Sequence, residues 1–241
     1  MTKRIKRLNI ILFFTICLTM LFSVTAHAKT AAYKKLYKKF LEKGTYEVNT
    51  VDYRTNYKNG KVVKCKTKTI HKIAAYAVAN IDGKGAPELI LFSKYYGGKK
   101  PLRPNRYRVN VARIKGKKVK LIPTDYYTWK VGKKVYKKNS YTFDVIPKKK
   151  EVKFYPALSM LRFDTTHGYY DSDDKKVESW DSITYYEYKG GCLIDVDDYD
   201  DDEDYDDDED SNPKLKAVET AKPSVAKILA NTKKNRKKSF K

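Results

Sequence analysis

The fold of this chain is decided by residues 76–92, which read YAVANIDGKGAPELILF. Tyr76 to Ala79 and Leu89 to Phe92 are apolar, β-favouring runs that are too short for helices. The polar stretch between them carries two glycines, which allow sharp turns. The pattern therefore predicts two β-strands joined by a structured loop.

The loop has the residue pattern of a calcium site. Oxygen ligands at alternate positions, a turn glycine and a main-chain carbonyl are the parts such loops use. With Asn80 as the first position, these parts fall at Asn80, Asp82, Lys84, Gly85, Ala86 and Glu88. An EF-hand is excluded because the twelfth position, which needs a bidentate glutamate, is Leu91, and because the flanking segments are strands.

This strand–loop–strand stretch resembles the D-x-D-G-D-G-x-x-[DE]-L module of FG-GAP/VCBS-type repeats, and the DIDGDGxPEL core of secreted bacterial proteins. Asp82 and Glu88 match the family's carboxylate ligands, Asn80 stands where an aspartate is usual, and the loop glycines match at 83 and 85. The resemblance implies metal ligands at Asn80, Asp82, Ala86 and Glu88. Lys84 departs from the family pattern, since it places an ammonium where the family has a carboxylate.

Two interpretations of Lys84 follow. In the first, the ammonium takes the place of the ion and pairs with Asp82 and Glu88, so the loop is structural and no cofactor is bound. In the second, calcium still binds, with reduced affinity, because affinity depends on the charge of the ligands. We expect the first, in which the module is degenerate and marks the fold.

Residues 1–28 have the three parts of a secretory signal. Four basic residues precede the apolar stretch Leu8 to Val24, and Ala26-His-Ala28 ends it as a cleavage site. No later apolar run is long enough to cross a bilayer. We expect an exported protein that is secreted or associated with the cell surface.

The remaining chain predicts an α+β fold that is mostly β. Thr30 caps and Gly44 ends an amphipathic helix over Ala31 to Lys43, whose polar face carries Lys34, Lys35, Lys38 and Lys39. From Tyr46 to Ile194, tyrosines and β-branched residues alternate with lysines between closely spaced turn signals, which predicts antiparallel hairpins. The helix needs a partner for its apolar stripe and is expected to pack on this sheet. Residues 29–194 are therefore expected to form one domain.

Two charged segments follow this domain. Asp195 to Asp210 holds thirteen carboxylates among 16 residues, a composition that repels itself and predicts an acidic disordered linker over 195–213. Residues 214–241 form a basic tail, with a short helix expected over Lys214 to Ala230. The predicted architecture thus ends in a disordered, charged C-terminal tail.

Charge is the strongest compositional signal. The net charge is +23, and residues 29–194 alone hold 38 Lys and Arg against 15 Asp and Glu. Such a surface favours anionic partners. An anionic cell-envelope surface or wall polymer is the expected partner, nucleic acid is disfavoured by export, and the chain's own acidic run is a third candidate.

An enzyme is not expected, since no nucleophile, phosphate-loop or zinc-protease motif occurs. His71 and His167 are the histidines outside the signal, and His167 is predicted to be a turn residue. Cys65 and Cys192 lie outside redox and zinc spacings, and their pairing is open. The sequence thus predicts a secreted, non-enzymatic accessory or binding protein that acts by electrostatic contact. A structural protein ordered by calcium and a secreted hydrolase of unknown class are the alternatives.

Overall fold

A computed structural model describes residues 32–55, 60–94, 107–131, 134–141, 143–145, 147–170, 176–196 and 213–241. The predicted signal peptide lies outside these residues, as does the acidic run except for Asp195 and Val196. In the described part of the chain strands predominate over helices, and each pair of neighbouring strands is antiparallel. The predicted α+β, mostly β class with an antiparallel sheet is confirmed.

The elements follow in chain order. Helix α1 covers residues 32–42. The strands are β1 (Thr45–Thr55), β2 (Val62–Ala79), β3 (Glu88–Lys94), β4 (Tyr107–Lys115), β5 (Lys118–Leu121), β6 (Asp125–Val131), β7 (Lys134–Ser140), β8 (Phe143–Val145), β9 (Glu151–Tyr155), β10 (Met160–Tyr170), β11 (Lys176–Lys189), β12 (Cys192–Asp195), β13 (Ser224–Lys227) and β14 (Leu229–Ala230). A 3-10 turn (Pro156–Leu158) precedes β10, and two further helices are α2 (Pro213–Thr220) and α3 (Lys233–Ser239).

These strands form two sheets. Sheet I has the order β5-β4-β3-β2-β1-β7-β6, with β14 beside β2 and β8 beside β4, and sheet II has the order β12-β11-β10-β9-β13. Strand β2 joins two parts of sheet I, because Val62–Lys72 pairs with β1 and Ile73–Ala79 pairs with β3. The hairpin turns at Gly116 and Gly190-Gly191 have positive φ angles, as the glycine pattern predicts.

The main core lies between the two sheets. Side chains that alternate along the strands of each sheet meet there, since every second residue of a strand points to the same face. Its fully buried members include Ile90, Phe92 and Val111 from sheet I, and Leu161, Phe163 and Leu193 from sheet II.

Helices cover the outer face of sheet I. Tyr37 and Leu41 of α1 are fully buried in a second cluster with Tyr76 and Leu91 of the sheet. The predicted packing of the N-terminal helix on the sheet is confirmed. Gly44, at φ +71°, lies where the helix has ended and takes the left-handed conformation that glycine adopts without strain.

The outer face of sheet II is covered by α2. Val218 of this helix packs in a third cluster with Tyr155, Met160 and Val196. Val196, just after β12, is fully buried in this cluster. The described residues on either side of the acidic run, Val196 and α2, therefore lie on the same face of the molecule.

The C-terminal residues differ from the prediction. Residues 213–241 are part of the fold, since β13 pairs with β9 and β14 pairs with β2. This corrects the expectation of a disordered basic tail for these residues, and the predicted helix ends at Thr220, ahead of Pro223. The physical reason is that ladder pairing satisfies the main-chain hydrogen bonds of this segment, while Phe240 is buried with the α1 cluster.

None of the helices in the described ranges is long and apolar enough to cross a bilayer.

Candidate functional site

The loop that the sequence singles out joins β2 to β3 and is closed by the pair Ala79 and Glu88. Gly83 and Gly85 have φ angles of +66° and +68°, so the predicted turn glycines are confirmed. A Cβ at Gly83 would lie 3.4 Å from both the Cβ and the main-chain oxygen of Pro156. The loop of sheet I therefore lies against the 3-10 turn of sheet II.

Main-chain amides hold the two carboxylates of the loop. Ile81 N–H donates to Glu88 Oε2 at 2.9 Å, and Lys84 N–H donates to Asp82 Oδ1 at 2.8 Å. The Lys84 side chain is exposed, and among the described contacts its ammonium pairs with neither carboxylate. The replacement of the ion by Lys84 stays a prediction, and in the structure amides of the loop hold both carboxylates.

Glu88 is the most perturbed acid of the site. Its side chain is 3% exposed, and this burial raises the pKa of the carboxyl to about 7, with a further upward contribution from Asp82. The Ile81 amide and the Arg113 guanidinium oppose the shift. A buried carboxyl that titrates near neutrality is the main chemical feature that the structure adds to the predicted loop.

Arg113 and Tyr188 complete the surroundings of Glu88. Arg113 Nη1 donates to the Tyr188 hydroxyl, and the guanidinium carbon lies 5.5 Å from the centre of the Tyr188 ring. Burial raises the pKa of Tyr188, and the nearby guanidinium opposes this shift. Neither residue belongs to the sequence motif: β4 brings Arg113 to the loop as the neighbour of β3 in sheet I, whereas β11 brings Tyr188 there through the packing of the two sheets.

The predicted metal ligands give a partial oxygen shell. Asn80 Oδ1 is buried and has no hydrogen-bond partner, which is what an uncommitted ligand oxygen requires. One oxygen of Asp82 and one of Glu88 are already held by amides. Within the described ranges, no group of three or more His, Cys, Asp or Glu side chains comes together as a metal site. Calcium binding at Asn80, Asp82, Ala86 and Glu88 stays a prediction.

A second candidate site is a basic surface made by two helices. Helices α1 and α3 lie side by side, since the Tyr37 and Phe240 rings are 6.3 Å apart and Lys34 Nζ donates to a main-chain oxygen of Lys241 at 2.6 Å. We call the exposed lysines of these helices, together with the one that follows α1, the cationic face: Lys35, Lys38, Lys39, Lys43, Lys233, Lys234, Lys237 and Lys238. Glu42 is the one acidic residue within 32–43 and 231–241.

The other residues noted in the sequence do not gather at either site. His167 lies within β10, opposite Trp180 of β11, so the prediction that it is a turn residue is wrong, because the hairpin continues past it. Cys65 and Cys192 are not joined by a disulfide. The Cys192 thiol is 3.1 Å from the carbonyl oxygen of Pro123.

A polar cluster that the sequence does not signal surrounds His71. Its Nδ1 lies 3.1 Å from Ser93 Oγ and its Nε2 lies 3.2 Å from Thr69 Oγ1. The Ser93 hydroxyl donates to the Arg108 carbonyl, and the Thr69 hydroxyl donates to the Val48 carbonyl. His71 and Ser93 are buried and Thr69 is exposed, and the hydrogen bonds of the cluster link neighbouring strands of sheet I.

Comparison of the chain with protein-family models, with curated proteins and with solved structures gave no match.

Proposed function

We propose that the protein is an exported, non-enzymatic binding protein that holds an anionic surface or polymer of the cell envelope through the cationic face. The observation that carries the proposal is the meeting of α1 and α3. Their eight exposed lysines come from segments about 190 residues apart in the chain, yet one side of sheet I presents them together. Clustered cations attract polyanions far more strongly than the same charges dispersed over a surface.

The distribution of acidic residues also supports binding through the cationic face. The acidic run is attached at Val196 and α2, which pack on the outer face of sheet II, whereas the cationic face covers the outer face of sheet I. The cationic face and the described residues on either side of the acidic run therefore lie on different sheets of the core.

We expect the quadruple substitution K233Q/K234Q/K237Q/K238Q to weaken binding to isolated cell envelopes about 1,000-fold at low salt, since each lysine near an anionic surface contributes about 1 kcal/mol. Co-sedimentation over a salt series measures this effect. Binding by the unaltered protein should fall steeply between about 0.05 and 0.5 M salt, because exposed charges are screened.

The matched control is K149Q/K150Q/K222Q/K227Q, which removes the same charge from exposed lysines outside the cationic face. It should weaken binding less than about threefold. If the two variants lost envelope binding equally, binding would depend on the net charge of the protein and not on the cationic face. No retention of the unaltered protein at low salt would end the proposal.

The calcium-ordered structural protein is a second candidate function, and the buried, unpartnered Asn80 Oδ1 is the observation that favours it. In this candidate function, the ion is held by Asn80, Asp82, the Ala86 carbonyl and Glu88. The exposed Lys84 then opposes binding by its charge alone, because its ammonium does not fill the site.

Replacing Lys84 by aspartate is therefore expected to create calcium-dependent stability. At about 1 mM Ca²⁺, K84D should gain about 1–3 kcal/mol in its free energy of unfolding, which corresponds to a Kd about 10- to 100-fold below the calcium concentration. Thermal unfolding with calcium and with chelator measures the gain. K84Q is the control for loss of the ammonium without a new ligand. A calcium effect that is equal in K84D and the unaltered protein would show that position 84 does not limit binding.

A further inference from the structure

A cleft with a volume of about 550 Å³ opens at the end of α1, beside the cationic face. Its apolar wall comes from Phe40, Tyr46, Ile70, Val119, Leu121 and Tyr141. A volume of this size falls in the range of small-ligand sites, about 300–1,000 Å³. Helix α1, strands β1, β2 and β5 and the segment after β7 all contribute to it.

The wall is held in a fixed arrangement by hydrogen bonds. The Tyr46 hydroxyl donates to Asn110 Oδ1 at 2.6 Å, and Asn110 Nδ2 donates to the main-chain oxygen of Tyr141. Asn110 is fully buried, so one side chain of β4 fixes two opposite parts of the wall. The Tyr46 ring is packed against Phe40 and His71, at 6.2 and 5.3 Å between ring centres. Preorganisation of this kind lowers the entropic cost of binding a ligand.

The cleft also exposes apolar surface that the fold does not use. Ile70 is 70% exposed, the largest exposed fraction among the large apolar side chains of the described residues. Phe40, Leu121 and Tyr141 are partly buried. Apolar surface of this kind gains free energy when a ligand covers it, at about 25 cal/mol per Å².

The charges at the cleft are positive. Lys43 and Lys120 line it and are exposed. The carboxylate that also lines it, Glu47, is paired with Lys68 at 2.6 Å, and this partner lowers the pKa of Glu47. The cleft therefore combines an apolar wall with two cationic groups whose charge is not offset by its own acid.

We infer that this cleft binds an anionic lipid of the envelope, with the acyl chain against Phe40, Ile70, Leu121 and Tyr141 and the anionic head between Lys43 and Lys120. A neutral sugar would use the aromatic rings but would gain nothing from the lysines. The inference extends the proposed function, because Lys43 belongs to both the cationic face and the cleft. Surface attraction by the helices would bring the lipid to a site that then holds its chain.

Decyl phosphate, kept below its micelle concentration, is the probe, and calorimetric titration of the full chain is the measurement. We expect saturable binding that is at least about tenfold tighter than binding of decyl maltoside, which has the same chain and a neutral head, a difference of about 1.4 kcal/mol. Inorganic phosphate alone should give no saturable binding. Near-ultraviolet circular dichroism confirms that the fold persists during the titration.

One variant tests the apolar wall of the cleft and another tests its cationic groups. I70T should weaken decyl phosphate binding about tenfold, and K43Q/K120Q should reduce the preference for the phosphate head to less than about threefold. V63T is the matched control for I70T, since Val63 lies on the same strand, is 48% exposed and lies outside the cleft. Equal affinity for the two amphiphiles, or no difference between I70T and V63T, would overturn the inference.

The two proposals fail separately. If decyl phosphate does not bind but the α3 lysine variant still loses envelope binding, the lipid cleft is wrong and the cationic face stands. If decyl phosphate binds and I70T weakens it while the α3 lysine variant binds envelopes like the unaltered protein, the cleft stands and the cationic face is wrong.

Discussion

Replacement of Phe240 by alanine is expected to lower the free energy of unfolding by about 3–5 kcal/mol, the usual cost of removing a buried phenylalanine side chain. Phe240 is 8% exposed. Its ring stacks on Tyr76 with 5.9 Å between centres and meets Tyr37 edge-on at 6.3 Å. Its main-chain N–H also donates to the carbonyl oxygen of Arg236 and so caps the end of α3. The substitution would therefore leave a cavity between two helices and the sheet.

Urea unfolding measures this loss, and K237A provides the control on the same helix. Lys237 is exposed, so its truncation should change stability by less than about 0.5 kcal/mol. If F240A were as stable as K237A, α3 would not pack on sheet I, and the disordered tail expected from the sequence would be the better description.

Replacement of Glu88 by glutamine is expected to change how stability depends on pH. The folded-state pKa of Glu88 is raised to about 7 from its ordinary 4.5. Between these values the folded state holds more protons than the unfolded state. The contribution of Glu88 to the free energy of unfolding is therefore fully present below pH about 4.5 and is lost as pH rises through about 7. The loss is at most about 3 kcal/mol.

Glutamine keeps an oxygen that accepts from Ile81 N–H and carries no charge at any pH. E88Q should therefore match the unaltered protein near pH 5 and exceed its stability by about 2–3 kcal/mol near pH 8. Urea unfolding at the two pH values measures both differences. If E88Q were instead the less stable protein near pH 8, Arg113 would stabilise the ionised Glu88 by more than burial costs it, and the pKa of Glu88 would not be raised.

The sequence predicts features whose signal is local. Helix α1 follows from the spacing of Tyr37 and Leu41 and from the glycine at 44, because both act within a few residues. The loop between β2 and β3 follows from two glycines that need a positive φ angle. The antiparallel hairpins follow from alternation and closely spaced turns, such as that at Gly116. Each of these features lies in the structure where the pattern places it.

The features that the sequence misses depend on residues far apart in the chain. Strands β13 and β14 are short, and their partners β9 and β2 lie more than 70 and 150 residues away in the chain. A lysine-rich segment with isolated apolar residues therefore resembles a tail until its partners are known. The candidate site is divided in the same way: Glu88 is visible in the motif, whereas Arg113 reaches it through the pairing of β4 with β3 and Tyr188 through the packing of sheet II on sheet I. The cationic face likewise needs α1 and α3 to meet.

The late position of β13, β14 and α3 has a consequence for the order of events during synthesis. Sheet II lacks β13, sheet I lacks β14 and the α1 cluster lacks the Phe240 ring until residues 224–240 have left the ribosome. At about 5–20 residues per second this takes on the order of tens of seconds, during which the hairpins form without their final partners. A chain that completes its fold so late exposes the edges of both sheets for longer while it is being made, and unpaired edges are where partly folded chains associate.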